Sequence, residues 1–539
     1  MKAFISLLYV VIVFTGLSAF ARESLLTAYV PADAIVFIAT PDLTEFDSQW
    51  SATSFAHLWQ SEDFADFRKA FHEATRISSG SEVSLLGISW QQLLNIASGE
   101  ACWALAPLGD DVGFLLLVDV SGHKDEATQL VAELRAQATS RTYFLEEGIL
   151  GITNRQEFAI APSESLASNE QFATVAEHSY STAAMLTWYL KPWAFRSLAM
   201  RSGSEELGQT WQLLADNGFK VVQAIGGAMT LSTNEYDVEN QCFIYAPGER
   251  QKASRLLDFA SLRDDPLPKW VPGEIDSVSR IQWNLAGALA GYGSYFDAAY
   301  AEEVEGTFDA VLDDILKEPT GPQVDVMALM GIQAGPVLRL SKTLDDGLTA
   351  TVYAVRISDE ERMVDALQRM FGPDKGVEKK SASSFELWVF KDAITDPDVG
   401  QPMGPDLANY SLAAAHGYFF VATSEDALIA LLEDKPSTKQ FHSEELERQL
   451  KDHLAENTIR THISPSAAGL RPIYEGLRKR GEVDLGQLLG DPESEQHVLN
   501  LAQLPNSNVL PNFIASGFGF VNQTEDGWLL QDFVGKEVK

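Results

Sequence analysis

The feature that most constrains this chain is that it repeats itself. Tyr29-Val30-Pro31 and Asp33 find counterparts in Trp270-Val271-Pro272 and Glu274, and each set leads into a strand-like run, VFIAT and then VSRIQW. Asp42-Leu43 and Asn284-Leu285 next open a helix-like segment. Further matches follow in the same order. FAIAPSES at 157–164 aligns with FFVATSED at 419–426, and Gln171-Phe172 with Gln440-Phe441. AMLTWYLKPWAF at 184–195 aligns with TIRTHISPSAAGL at 458–470. GGAMTLSTNEYDVENQCF at 226–243 then parallels SGFGFVNQTEDGWLLQDF at 516–533, with Gly227 meeting Gly517 and Cys242 falling opposite Asp532. Ordered internal similarity of this kind marks a unit used more than once. The expectation is two divergent tandem copies, residues 25–262 and 263–539.

Periodicity within a copy is mixed. DVGFLLLVDVSG (111–122) and GLTATVYAVRIS (347–358) read as strands. Each passes into a run with apolar residues three and four apart, DEATQLVAELRAQA and DEERMVDALQRMF, which is a helical pattern. Asp42-Leu-Thr-Glu45 forms a capping box, and Ser464-Pro465 supplies an N-cap with proline at the first helical position. SWQQLLNIASG is expected to end its helix at Gly99. Asp-Gly pairs at 346–347 and 526–527 point to hairpins. The expected class is α+β, each copy an antiparallel or mixed sheet with helices packed on one face. The segments 316–323 and 392–406 read as irregular.

The chain opens with MKAFISLLYVVIVFTGLSAFA, residues 1–21. One lysine, an apolar core and Ala19-Phe20-Ala21 fit a secretory signal cleaved after Ala21. The alternative is an uncleaved anchor, because Ala3 to Ala21 is uncharged and almost long enough to span a bilayer. No later run is apolar enough to span one, so the expected product is periplasmic or extracellular and soluble. With 40 basic against 76 acidic residues, the net charge of −36 repels phosphate backbones and anionic headgroups, which argues against nucleic-acid and membrane-surface partners.

Only two cysteines occur, Cys102 and Cys242. An oxidising compartment permits a disulfide between them, and two buried free thiols are the other option. There is no Cys-x-x-Cys, so a dithiol redox site is excluded.

Searches for catalytic patterns find little. The nine histidines (57, 72, 123, 178, 416, 442, 453, 462 and 497) contain no HExxH spacing and read as structural. No G-x-S-x-G elbow exists, and Gly291-Tyr-Gly293-Ser294 lacks the strand that should precede one. Gly517-Phe-Gly519 breaks the dinucleotide fingerprint at Asn522, and no phosphate-binding loop is present, so no cofactor is expected. Asp392, Asp396 and Asp398 before Gly400 are a weak candidate for a calcium loop, interrupted by Pro397 and without a bidentate glutamate. Trp188, Tyr189 and Trp193, and the set Tyr292, Tyr295, Phe296 and Tyr300, have the spacing of packed faces.

The leader followed by VPADAIVFIATPDL, SFAHLWQSEDFADF and LLGISWQQLLNIASGE resembles a family of exported bacterial proteins of unknown function, the domain of unknown function 3352 type. The matching positions are Val30 to Asp33, Leu43 to Phe46 and Leu85 to Glu100. The resemblance implies export and a repeated α+β build, and it carries over no catalytic residue. The expected function is a non-enzymatic binding or interaction module with a protein or small-molecule partner in the envelope. The alternatives are an exported hydrolase with a site outside known motifs, or a carrier of a small ligand or lipid.

Overall fold

Strands come first, because they set where every functional side chain points. The first sequence half supplies β1 (Val36–Thr40), the small hairpin β2 (Ser84–Leu85) and β3 (Ile88–Ser89), β4 (Ala101–Leu108), β5 (Asp111–Asp119), β6 (Thr142–Glu146), β7 (Ile149–Thr153), β8 (Leu186–Leu190), β9 (Ala224–Leu231) and β10 (Tyr236–Tyr245). From the second come β11 (Ser277–Ile281), β12 (Val337–Thr343), β13 (Thr349–Arg356), β14 (Val377–Ala382), β15 (Phe385–Phe390), β16 (Ser411–Ala415), β17 (Tyr418–Ala422) and β18 (Thr458–Ser464). The small hairpin β19 (Glu482–Asp484) and β20 (Val498–Asn500) follows, and then β21 (Gly517–Thr524) and β22 (Gly527–Gly535). This computed structural model describes residues 25–536 apart from 75–83, 86–87, 109–110, 138–140, 155–163, 182, 195–204, 263–266, 273–274, 301–303, 318–334, 345–348, 383–384, 392–408, 434–443, 466, 480 and 485–497. The leader with Ala21, the turn pair 346–347 and the loop carrying Asp392, Asp396 and Asp398 lie outside the described residues.

Eighteen of the described strands form one sheet. Across hydrogen-bonded neighbours the order is β14-β15-β16-β17-β13-β12-β11-β18-β21-β22-β10-β9-β8-β1-β4-β5-β7-β6, antiparallel at each described step. The two sequence halves therefore share a sheet and meet edge to edge in its middle, where β10 pairs with β22 from Tyr236↔Gly535 to Tyr245↔Gly527. The predicted hairpin at Asp526-Gly527 is present, with Thr524 paired to Gly527.

Helices cover both faces, which corrects the expectation of one. In β1, Val36 packs with Leu130 and Leu134 of the helix Lys124–Gln137, whereas the next residue, Phe37, packs with Phe172 and Val175 of the helix Glu170–Ser179. The second half does the same. Phe420 joins the core beneath the helices Glu425–Glu433 and Glu444–His453, and Phe419 joins the core beneath the helix Glu360–Phe371. A sheet buried on both faces needs near-continuous apolar strands such as GFLLLV rather than strict alternation. A further core ties the halves together, with Phe55, Phe64 and Phe67 packed against Leu499, Leu504 and Leu510.

Local signals explain most helix starts. Asp42 caps the helix Leu43–Ser51 by accepting from the amides of Thr44 and Glu45, both at 2.9 Å. Ser89 and Gln92 form a reciprocal capping box, and that helix ends at Ile96, short of Gly99. No α-helix starts at Ser464. It is held in β18 opposite Gly517, its hydroxyl donates to the Asp276 carbonyl, and the next α-helix starts at Arg471. No helix among the described residues is long and apolar enough to cross a membrane.

Candidate functional site

Directly paired residues of an antiparallel ladder point to the same face. Starting at Ser279 on β11, one such row runs through His462 on β18, Gly519 on β21 and Asp532 on β22 to Asn240 on β10. On this face of β10, Val238 lies in the core beneath Phe55 and Phe67, Cys242 in the core with Val36, and Ile244 packs with Val221, Leu257 and Trp528. Toward β18, β21 and β22 the sheet floor opens into a cleft of about 100 Å³, lined by Arg460, His462, Gly519, Phe520, Val521, Leu530 and Asp532.

Gly519 makes the cleft possible. A methyl group on it would meet Asp532 Oδ1 at 2.0 Å and the Gln531 carbonyl at 2.8 Å, so the Asp532 carboxylate lies over a bare stretch of backbone and leans toward β18. Asp532 lines the cleft and is exposed to solvent. Burial pushes its pKa up to about 6, against the partial opposition of the Arg460 guanidinium. His462 accepts or donates through Nδ1 to the Ser279 hydroxyl at 2.8 Å. Burial, with Arg460 and Arg339 nearby, pushes its pKa down to about 3, so it is neutral near pH 7. Among the described residues, neither the Arg460 guanidinium nor the Asp532 carboxylate has a hydrogen bond or ion pair, although each feels the other's charge. Asn240, only 5% exposed and directly across the ladder from Asp532, leaves its Oδ1 without a partner.

The first half contains a row of the same kind with opposite chemistry. Ile38, Trp188, Gly227 and Cys242 follow each other across β1, β8, β9 and β10. The Trp188 indole lies over Gly227, its Nε1 2.9 Å from where a Cβ would stand, and Trp188 and Cys242 are buried. That row is filled with apolar groups; the row in the second half is polar and hollow.

Other sequence candidates resolve differently. The disulfide open to Cys102 and Cys242 is not formed, and both thiols are free and buried. They sit on opposite faces of the sheet, Cys102 in the core with Phe37 and Cys242 in the core with Val36. Three strands separate β4 from β10, which at a strand spacing of ~4.8 Å puts the thiols far beyond the ~7 Å Cα separation a disulfide tolerates. Gly291 to Ser294 lie inside the helix Leu285–Tyr300, where the Ser294 hydroxyl donates to Asn217 Oδ1 and the Gly291 carbonyl. Tyr292 and Phe296 pack on Phe308 of the following helix. Tyr189 joins Phe37 and Phe172 on the sheet face opposite Trp188, while Trp193 packs edge-on against Trp211. His178 stacks on Phe243 at 4.2 Å. No group of three or more metal-ligating side chains occurs among the described residues.

Chemically, the cleft offers one fixed cation, one carboxylate and a neutral imidazole. Ser279 and His462 have nucleophile-and-base proximity, yet Ser279 is only 4% exposed beneath the ring. An imidazole held neutral down to about pH 3 is also a weak base. Sequence reasoning placed His462 among structural histidines and passed over Arg460, Asp532 and Asn240. One signal for them was present: the aligned copies put charged Asp532 where the other has Cys242. No protein-family model matches the chain, and neither does any curated protein or solved structure.

Proposed function

We propose that this is an exported protein built from two copies of one unit, of the kind its VPAD opening resembles, and that it works as a binding module. Its ligand is a small polar molecule held in the cleft of the second half. The observation that carries this reading is the contrast between the rows. Where the first half fills the position with Trp188 and Cys242, the second places His462 and Asp532 around an open space that includes the unpaired Arg460. Charged groups left without partners next to a cavity cost stability, and a ligand that satisfies them repays it.

Strand pairing supports the duplication. β1-β8-β9-β10 and β11-β18-β21-β22 are successive in the same sense, and the two runs meet at β10·β22. Trp188 and His462 occupy matching ladder positions, as the alignment of 184–195 with 458–470 expects. His178 and His453 each close a helical turn through Nδ1, at 2.9 Å from the Thr174 carbonyl and 2.8 Å from that of Gln449, and each packs on a phenylalanine of the central ladder, Phe243 or Phe533. Two alignments need correction. Gly519, not Gly517, stands at the ladder position of Gly227. β17 pairs with β13 as β7 pairs with β5, so Tyr418–Ala422 answers to Ile149–Thr153 rather than to 157–160.

Calorimetry of the mature chain with a panel of small polar compounds, repeated on Arg460→Gln, tests the binding reading; a panel that gives equal heats with both proteins sinks it. The Ser279–His462 contact favours a second reading, a hydrolase. Turnover of an ester or amide panel that vanishes in Ser279→Ala would establish that one instead. Export is tested by intact mass of the protein recovered from its own envelope, with Arg22 as the expected first residue.

A further inference from the structure

Resting on that reading, we infer that the cleft takes a small zwitterion, a molecule with a carboxylate and an ammonium group a few bonds apart, as in an α-amino acid. One observation on the cleft itself points there. Arg460 and Asp532 carry opposite charges in one cavity of about 100 Å³, yet they do not form an ion pair. Opposite charges lining one cavity attract each other, and here each is left for a ligand to meet. A guanidinium matches a carboxylate in a two-bonded fork, and a carboxylate accepts from an ammonium. An ammonium has three donors, and the Asp532 carboxylate, which lines the cleft, accepts from it.

The remaining wall suits a short, largely aliphatic body. Val521 and Leu530 are apolar, and Gly519 contributes bare backbone. His462, neutral and fixed by Ser279, adds one hydrogen-bonding nitrogen without charge. A simple anion would satisfy Arg460 and leave Asp532 facing it across the cavity; a simple amine would do the reverse. Only a ligand with both ends satisfies both.

The test is isothermal calorimetry on the mature chain with glycine, L-alanine, acetate, methylammonium and inorganic phosphate as separate probes. Glycine or L-alanine is expected to bind at least about tenfold more tightly than acetate, methylammonium or phosphate, and Arg460→Gln and Asp532→Asn are each expected to weaken it by at least about tenfold. If acetate, phosphate or methylammonium matches L-alanine, the zwitterion inference is overturned while the cleft remains a binding site. If no probe binds, the inference falls and the binding reading loses its support in this cleft. Should either variant fail to fold by circular dichroism, the ranking of probes on the unaltered chain decides alone.

Discussion

Gln241 and Gln531 stand directly opposite each other across the β10·β22 ladder, 290 residues apart in sequence, and Nε2 of Gln531 donates to Oε1 of Gln241 at 3.4 Å. Gln241 is 1% exposed, and its own Nε2 donates to the His178 carbonyl. The pair thus links the seam between halves to the helix Glu170–Ser179. Gln241→Leu keeps the volume and strands the His178 carbonyl. It is expected to cost about 1–3 kcal/mol in urea unfolding, and Gln531→Ala about 1 kcal/mol or less. Equal costs for the two would contradict this account of the seam.

His462 gives the fold an acid limit. Its pKa is near 3 in the folded chain and ~6.5 when unfolded, so both states are neutral above pH 7. As pH falls through 6.5 the unfolded chain takes up a proton that the folded one refuses, and stability is lost at up to about 1.4 kcal/mol per pH unit until about pH 3. His462→Gln should flatten the difference in unfolding free energy between pH 7 and pH 4.5. An unchanged difference would show that other groups set the acid limit.

Asp532 acts in the opposite sense. Its folded pKa of about 6 exceeds the ~3.9 of an unfolded aspartate, so between those values the folded chain binds the extra proton. Stability therefore falls as pH rises from 4 to 6 and then levels. Because solvent reaches the carboxylate, the gain for Asp532→Asn at pH 7.5 is discounted to roughly 1 kcal/mol, vanishing at pH 4. A variant equally stabilised at both values would refute the titration.

The two cysteines should be chemically silent. Burial raises the pKa of both thiols. Ellman's reagent is expected to find no reactive thiol in the folded chain and two in 6 M guanidinium, with no 2 Da deficit in the intact mass. A deficit in native material would mean a bridge that the sheet geometry forbids.

Gly227 makes room for the indole in the filled row. A Cβ there would come within 2.2 Å of the Gln241 carbonyl and 2.9 Å of Trp188 Nε1. Gly227→Ala is expected to cost about 1–3 kcal/mol in thermal or urea unfolding, since the backbone on one side cannot yield. A neutral substitution would mean that β9 moves away from β10 at little cost.

Much of this architecture is written locally. The Asp42 and Ser89 caps, the hairpin at Asp526-Gly527 and the apolar strands all rest on residues a few positions apart, and such patterns can be read from a chain. Double-sided helical cover was harder, because a run such as FLLLV says that both faces are buried but not by what. The cleft was harder still. Ser279, His462, Gly519, Asp532 and Asn240 become neighbours only through four ladder pairings, one of them joining residues 292 positions apart. No spacing rule reaches that far. Ser464 misled for a related reason: its hydroxyl and proline neighbour fit a cap, but the ladder partner that keeps it in β18 lies more than fifty residues away.

β22 comes last among the described strands and yet occupies the centre of the sheet, between β21 and β10. Order of synthesis and order in space are thus inverted. Until β22 emerges, a nascent chain carries β10 with the backbone groups of one side unpaired, an adhesive edge awaiting its partner. Pairing over so long a span is slow to nucleate. The strand that joins the two halves is thus the one that any folding order of the described strands must wait for.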